Sequence, residues 1–149
     1  MAPVPDGVYR FQDQLGFLSV QAPAPGSPVL VTPDPGGYGP PPVWQIRNND
    51  DGTVMIRAAF GPPLFLGYPG APQPMMPVIA SPEPTRWELR PGFDDEHIVI
   101  AVPANLTPDD EDGLVVDLGL MRMFPPRTAL MTSQPDNPAQ NWYLDNLGG

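Results

Sequence analysis

The chain has 149 residues, no cysteine and a formal net charge of −10 at pH 7. This length suits one domain with its own core, and the absence of cysteine excludes disulfides, thiolate nucleophiles and cysteine-ligated metals. The net negative charge argues against nucleic acid and against an anionic membrane surface as partners, because both bind to a basic protein surface.

Short strands separated by proline-rich stretches follow one another along the chain. Apolar–polar alternation and turn residues predict twelve of them. The 25 prolines collect between these strands, where a residue without an amide donor does no harm to a sheet. In chain order the predicted strands cover residues 8–12, 16–21, 29–32, 43–47, 53–58, 64–67, 77–80, 86–90, 97–102, 114–118, 128–132 and 141–144.

The strands fall into three sets of four, and each set closes on a tryptophan. The closing segments are Trp44-Gln45-Ile46, Trp87-Glu88-Leu89 and Trp142-Tyr143-Leu144. Threefold repetition of short strands predicts an all-β fold, a β-trefoil, in which a six-stranded barrel is capped by three hairpins. We expect a single domain over residues 1–149, with pseudo-repeats at about 6–49, 50–92 and 93–147.

An apolar set recurs at equivalent positions of the three repeats and is expected to fill the barrel and the hairpin pockets. The three tryptophans are interpreted as core anchors. The full set is Tyr9, Phe11, Leu18, Trp44, Ile46, Val54, Ile56, Phe65, Val78, Trp87, Leu89, Ile98, Ile100, Val116, Leu118, Leu130, Trp142 and Leu144.

Residues for catalysis are scarce, so we expect no enzyme, no cofactor and no metal site. No serine lies in a G-x-S-x-G elbow, and the single histidine, His97, alternates with the core positions of its strand. The acidic segment 109–113 lacks the first and last ligand positions of a calcium loop and is interpreted as a solvated turn. These observations favour a binding protein.

The connector 21–28 is rich in proline and small residues. Alternating proline keeps it extended, so it would lose little entropy on docking in a groove. A thin, stiff loop of this kind fits a protease substrate cleft. A rigid connector without a partner is an equal alternative on these grounds.

Several segments resemble fungal β-trefoil protease inhibitors. They are Asp6-Gly7-Val8-Tyr9, Trp44-Gln45-Ile46 followed by Asp51-Gly52, and Pro77-Val78-Ile79-Ala80 leading through Trp87 to Ile98-Val99-Ile100-Ala101-Val102-Pro103. The chain looks like the mycocypins (clitocypin-like inhibitors of cysteine proteases), and it is similar in size and acidity to inhibitors of the cospin and cocaprin type. The resemblance implies a thiol protease inhibitor that occludes papain-like cysteine proteases, with aspartic proteases as a second target.

The resemblance also implies a contact surface within residues 13–42. The expected protease-binding residues are Gly16, Ala22, Pro23, Ala24, Pro25, Gly26, Ser27, Pro28, Gly36 and Gly37. The loop 67–76 has no asparagine and residues 21–28 have no basic side chain, so asparaginyl endopeptidase and trypsin are not expected targets. The biological role would be fungal defence or regulation of the producer's own proteases.

Two other functions remain open. A carbohydrate-binding lectin would use an aspartate and an aromatic residue in each hairpin pocket, with a glutamine two residues before the tryptophan. Only Gln140 matches that glutamine, and Tyr38, Tyr68 and Phe124 are the aromatic candidates. A self-associating trefoil, such as a homodimer, would use Met75-Met76 and the segment 120–124. Residues 1–6 lack the features of a signal peptide, so a cytoplasmic location is expected.

Overall fold

The computed structural model describes residues 4–13, 16–20, 24–32, 42–59, 63–106, 113–118, 127–134 and 136–148. These residues contain two short 3₁₀ turns, at Ala104–Leu106 and Pro138–Gln140, and no helix that is long and apolar enough to cross a bilayer. The strands of the described residues are β1 (Gly7–Gln12), β2 (Phe17–Ser19), β3 (Leu30–Thr32), β4 (Trp44–Asn48), β5 (Val54–Ala58), β6 (Phe65–Gly67), β7 (Ile79–Ser81), β8 (Glu88–Pro91), β9 (His97–Ala101), β10 (Leu114–Asp117), β11 (Ala129–Thr132) and β12 (Trp142–Gly148).

The first and last strands of each repeat form a closed barrel. Antiparallel ladders join β12 to β1, β1 to β4, β4 to β5, β8 to β9 and β9 to β12. The remaining gap, between β5 and β8, is closed by Val54 and Trp87, whose backbones exchange hydrogen bonds of 2.8 and 2.9 Å. Over the described residues these pairings close the six strands into a barrel.

Three hairpins, β2–β3, β6–β7 and β10–β11, cap one end of the barrel. Their backbones meet in a ring of three hydrogen bonds: Val29 N–H donates to Val78 O at 3.0 Å, Val78 N–H to Thr128 O at 3.1 Å, and Thr128 N–H to Val29 O at 3.0 Å. The ring relates equivalent residues of the three repeats and marks the approximate threefold axis. The predicted β-trefoil is confirmed.

Each tryptophan ties a barrel strand to the hairpin of its own repeat. The indole rings are almost fully buried, at 0 to 1% exposure, and each Nε1–H donates to a backbone carbonyl, which satisfies the polar end of a buried ring. Their interpretation as core anchors is confirmed. The bonds run from Trp44 to Leu18 at 2.9 Å, from Trp87 to Leu66 at 2.8 Å and from Trp142 to Val116 at 3.4 Å.

The structure departs from the predicted elements most at the last strand, and it departs from the predicted core at four residues. β12 continues to Gly148 instead of ending at Leu144, because it pairs along β1 with a register shift between Val8 and Tyr9. Phe65 was expected in the core but is half-buried, since its neighbours Leu64 and Leu66 occupy the inward positions. The other predicted core residues that are only half-buried are Leu89, Leu118 and Leu144.

Candidate functional site

A row of three outward-facing side chains crosses adjacent barrel strands. β12 lies between β1 and β9, and its residue Tyr143 pairs with Gln12 on one side and with His97 on the other. Trp142 and Ile98, the neighbours of Tyr143 and His97 along their strands, are buried. Because side chains alternate along a strand, Gln12, Tyr143 and His97 share the outer face of the barrel.

These three residues line a groove of about 410 Å³ together with Asp13, Phe93, Pro138 and Asn141. The volume is within the range of small-molecule sites. The groove lies where the last strand of the third repeat pairs with the first strand of the first repeat. We call these seven residues the seam groove.

Aromatic rings follow one another along the seam groove. Phe93 is 46% exposed and Tyr143 is 38% exposed, so both present ring surface to solvent. The His97 imidazole lies between them, with its centroid 4.6 Å from that of Phe93 and 6.0 Å from that of Tyr143. The three rings form a largely apolar surface that is weakly polarised by the charge distribution of the aromatic rings. The hydroxyl of Tyr143 lies at one end of this surface.

The turn between β8 and β9 holds Phe93 in place. The Phe93 N–H donates to Asn141 Oδ1 at 2.8 Å, and the buried Asn141 in turn donates from Nδ2 to Asn137 O at 2.8 Å. The Gly92 N–H donates to His97 O at 2.9 Å. The ring of Phe93 therefore stands on a backbone that is fixed before any ligand arrives.

His97 is oriented by a carboxylate. Its Nδ1 lies 2.7 Å from Asp94 Oδ1, which also accepts the Glu96 N–H at 2.8 Å. The hydrogen bond to His97, followed by that to Glu96, holds the pKa of Asp94 below its usual value. An ionised carboxylate only accepts, so His97 Nδ1 carries the proton, and in the neutral ring Nε2 is an acceptor.

The β1 end of the groove carries a second carboxylate, Asp13. Its backbone N–H donates to Gly16 O at 2.9 Å and its Oδ1 accepts the Gly16 N–H at 3.2 Å, which closes the turn into β2. Arg10, two residues before Gln12 and on the same outer face of β1, pairs with Asp145 of β12 and lies over the ring of Phe17, 5.1 Å from its centroid. Carboxylates, amides and aromatic rings thus surround one open space.

Of the residues predicted to bind a protease, the described ones other than Gly16 lie away from the seam groove. Ala24, Pro25 and Gly26 are exposed at the hairpin end of the molecule, while Ser27 and Pro28 are half-buried. Backbone hydrogen bonds join this segment to β7, from Gly26 N–H to Ala80 O and from Ala80 N–H to Ser27 O, both at 2.8 Å. The segment is a connector tied to the next hairpin. The predicted residues Ala22, Pro23, Gly36 and Gly37 lie outside the described residues.

Of the residues named for a hairpin-pocket lectin, the structure describes Gln140, which is buried, and Tyr68, which is half-buried. Gln140 donates from Nε2 to Asp117 Oδ2 at 2.9 Å and to Thr132 O at 3.0 Å, and both Gln140 and Asp117 are buried. Tyr68 packs edge-on against Trp87, with centroids 5.5 Å apart, and burial raises its pKa. Outside the described residues lie Tyr38, Phe124, the segment 120–124 and most of the acidic turn 109–113.

Sequence reasoning missed Phe93, Asn141 and Tyr143 as members of a site. Strand pairing is the feature that could have identified them. Tyr143 follows a core tryptophan, so it faces outward, and barrel closure places it beside β1. His97 was correctly predicted to face away from the core, although it was interpreted as solvated or packed against a loop.

The chain matches no protein-family model and no curated protein sequence. Solved structures share its fold over nearly its whole length. The Rhizoctonia solani agglutinin has 15% identity and a TM-score of 0.77, with 98% of this chain and 99% of that chain covered. A Macrolepiota procera ricin B-like lectin in complex with lactose has 17% identity and a TM-score of 0.73, with coverages of 97% and 99%. The designed threefold-symmetric protein ThreeFoil has 17% identity and a TM-score of 0.76, with coverages of 95% and 100%.

These similarities correct the functional prediction. Inhibition of papain-like cysteine or aspartic proteases was expected from short sequence segments, whereas the fungal proteins that match the whole chain are lectins. The shared segments Asp6-Gly7 and Pro77-Val78-Ile79-Ala80 are strand starts and hairpin strands of the trefoil itself, so they report the fold and not the function. The protease-inhibitor prediction is wrong.

Proposed function

We propose that this protein is a lectin that binds carbohydrate in the seam groove. The observation that carries the proposal is the row of rings, the exposed Phe93 and Tyr143 with the half-buried His97 between them, beside the Gln12 amide and the Asp13 carboxylate. A pyranose has an apolar C–H face that packs on aromatic rings and a hydroxyl rim that needs paired donors and acceptors. The groove offers both within one space of about 410 Å³.

The aromatic platform, formed by Phe93, His97 and Tyr143, is held in position before a ligand binds, which favours binding of a small polar ligand. Phe93 is held by Asn141, and His97 is held by Asp94. A ligand that meets an ordered site loses less free energy to the ordering of side chains. The lectins that share this fold, one of them in complex with lactose, support the same function.

A glycan array followed by titration calorimetry on the best hit tests the proposal. The variant Tyr143→Ala removes one of the two exposed rings and should weaken binding about tenfold or more, which corresponds to about 1.4 kcal/mol. The loss of stability should be small because the side chain lies on the surface.

The matched control is Gln45→Ala. Gln45 follows Trp44 in β4 as Tyr143 follows Trp142 in β12, so it occupies the equivalent outward position of another repeat. This variant should bind like the unaltered protein. An array without hits, or equal affinity in the Tyr143→Ala protein, would refute carbohydrate binding at the seam groove.

A further inference from the structure

We infer that the seam groove selects neutral sugars and excludes sugars that carry a carboxylate or sulfate. This inference rests on the proposed carbohydrate binding and adds the chemical class of the ligand. Its basis is the charge around the groove, where the described charged residues are predominantly acidic.

One carboxylate, Asp13, lines the groove on the β1 side, and a second, Asp94, lies outside the lining and is bound to His97 on the β9 side. Asp95 and Glu96, in the same turn as Asp94, are also exposed. An anionic substituent between these groups would be repelled from two directions.

Within the described part of the chain, no arginine lines the groove to compensate this charge, and the chain contains no lysine. Arg10, on the same face of β1, has its guanidinium engaged with Asp145 and stacked over Phe17. Elsewhere Arg86 pairs with Asp51 and Arg90 with Glu88. Binding an acid in the groove would require Arg10 to leave its partner.

The groups that do face the groove suit neutral hydroxyls. The Gln12 amide both donates and accepts, and the Tyr143 hydroxyl does the same. A sugar hydroxyl also both donates and accepts, so it can pair with each of them. A carboxylate or sulfate only accepts and would leave the acceptors of the groove without partners.

The test uses pairs of oligosaccharides that differ by one acidic group. Each neutral glycan that binds is compared with the same glycan carrying a sialic acid, a sulfate or a uronic acid, by calorimetry at pH 7.5. The neutral member should bind at least about tenfold more tightly at 20 mM NaCl. At 500 mM NaCl the difference should shrink about threefold or more, because salt screens the repulsion between exposed charges.

Two variants locate the effect. Asp13→Asn combined with Asp94→Asn keeps an oxygen acceptor at both positions but removes both charges, and it should reduce the neutral-to-acidic affinity ratio about threefold to tenfold. Arg10→Gln should leave the ratio unchanged. Equal or tighter binding of the acidic members would overturn the inference while carbohydrate binding stands. If neither member of any pair binds, the proposed function fails, and the selectivity fails with it.

Discussion

Gly92 occupies the most constrained backbone position described around the groove. A Cβ at this residue would lie 2.5 Å from Asn141 Oδ1 and 2.7 Å from the carbonyl carbon and oxygen of His97. These atoms belong to the backbone of β9 and to a buried amide that already holds Phe93, so none of them can move without cost. The absence of a side chain at Gly92 therefore allows the turn to approach β9 and carry the aromatic platform.

Replacing Gly92 with alanine should disturb both stability and binding. Overpacking of a closely fitted site costs about 1–3 kcal/mol, and the displaced Asn141 would release the Phe93 backbone. We expect a lower midpoint in thermal unfolding together with weaker sugar binding.

Gly70→Ala is the comparison variant. Gly70 has φ of +77° with no atom within 4 Å of an added Cβ, so its substitution tests backbone strain alone, at about 1 kcal/mol. This variant should keep its sugar affinity. If Gly92→Ala kept it as well, the turn would not position the platform.

Residue-level reasoning from the sequence found the core but not the groove. Burial of Trp44, Trp87 and Trp142 follows from a repeated aromatic position and needs no coordinates. Predicting the groove requires the register of strands that are far apart in sequence, because this register places Gln12, His97 and Tyr143 side by side. Without that register, Tyr143 is an ordinary exposed strand residue, and Phe93 is a turn residue with no visible partner.

At the level of elements, an aspartate precedes the first barrel strand of every repeat. Asp6 accepts the Asn48 N–H at 2.7 Å before β1, Asp51 accepts the Thr53 N–H at 3.1 Å before β5, and Asp94 accepts the Glu96 N–H at 2.8 Å before β9. These hydrogen bonds, with those from the side chains of Asn48, Thr53 and His97, lower the pKa of all three carboxyls below 3.8. The turns therefore depend on ionised side chains.

The fold should consequently lose stability in acid. A carboxyl whose pKa is lower in the folded than in the unfolded chain stabilises the fold above the unfolded value and loses that contribution as pH falls through the folded one. The window thus lies below about pH 4. Asp51→Asn should lower the unfolding temperature at pH 6, and its difference from the unaltered protein should shrink as pH falls below about 4.

Asp50→Asn is the matched control for that measurement. It makes the same change of charge at the adjacent exposed residue, for which no hydrogen bond to a backbone amide is described, so its effect at pH 6 should be small. A constant difference between the Asp51→Asn and unaltered proteins across the whole pH range would contradict a role for ionisation.

The elements themselves were largely predictable because each repeats three times. Even the short strands β7 and β11, which are flanked by prolines, were expected from their equivalents in other repeats and are present. The alternation of side chains gave a wrong prediction for Phe65, because both of its neighbours in sequence are also apolar and occupy the inward positions. The functional prediction failed for a different reason: resemblance over short strand segments carries information about a shared fold but little about what the outer face binds.

For the whole molecule, the threefold arrangement allows the groove to be compared with its two equivalents. At the boundary of the first and second repeats, the row contains Val8, Gln45 and Arg57. At the boundary of the second and third, Glu88 pairs with Ala101 and lies beside Thr53, next to the bridge between Val54 and Trp87. None of these described positions carries an aromatic ring.

A single chain should therefore bind one sugar through this type of groove. Calorimetry should give a stoichiometry of one ligand per chain, and a monomer, identified by light scattering, should not agglutinate glycan-coated beads. A tandem fusion of two chains should agglutinate them, because linking two sites raises the effective concentration of the second, and Tyr143→Ala in both copies should abolish the effect. A stoichiometry of three would instead show that the fold binds through sites repeated in every hairpin, and the asymmetry of the seam groove would then have no functional consequence.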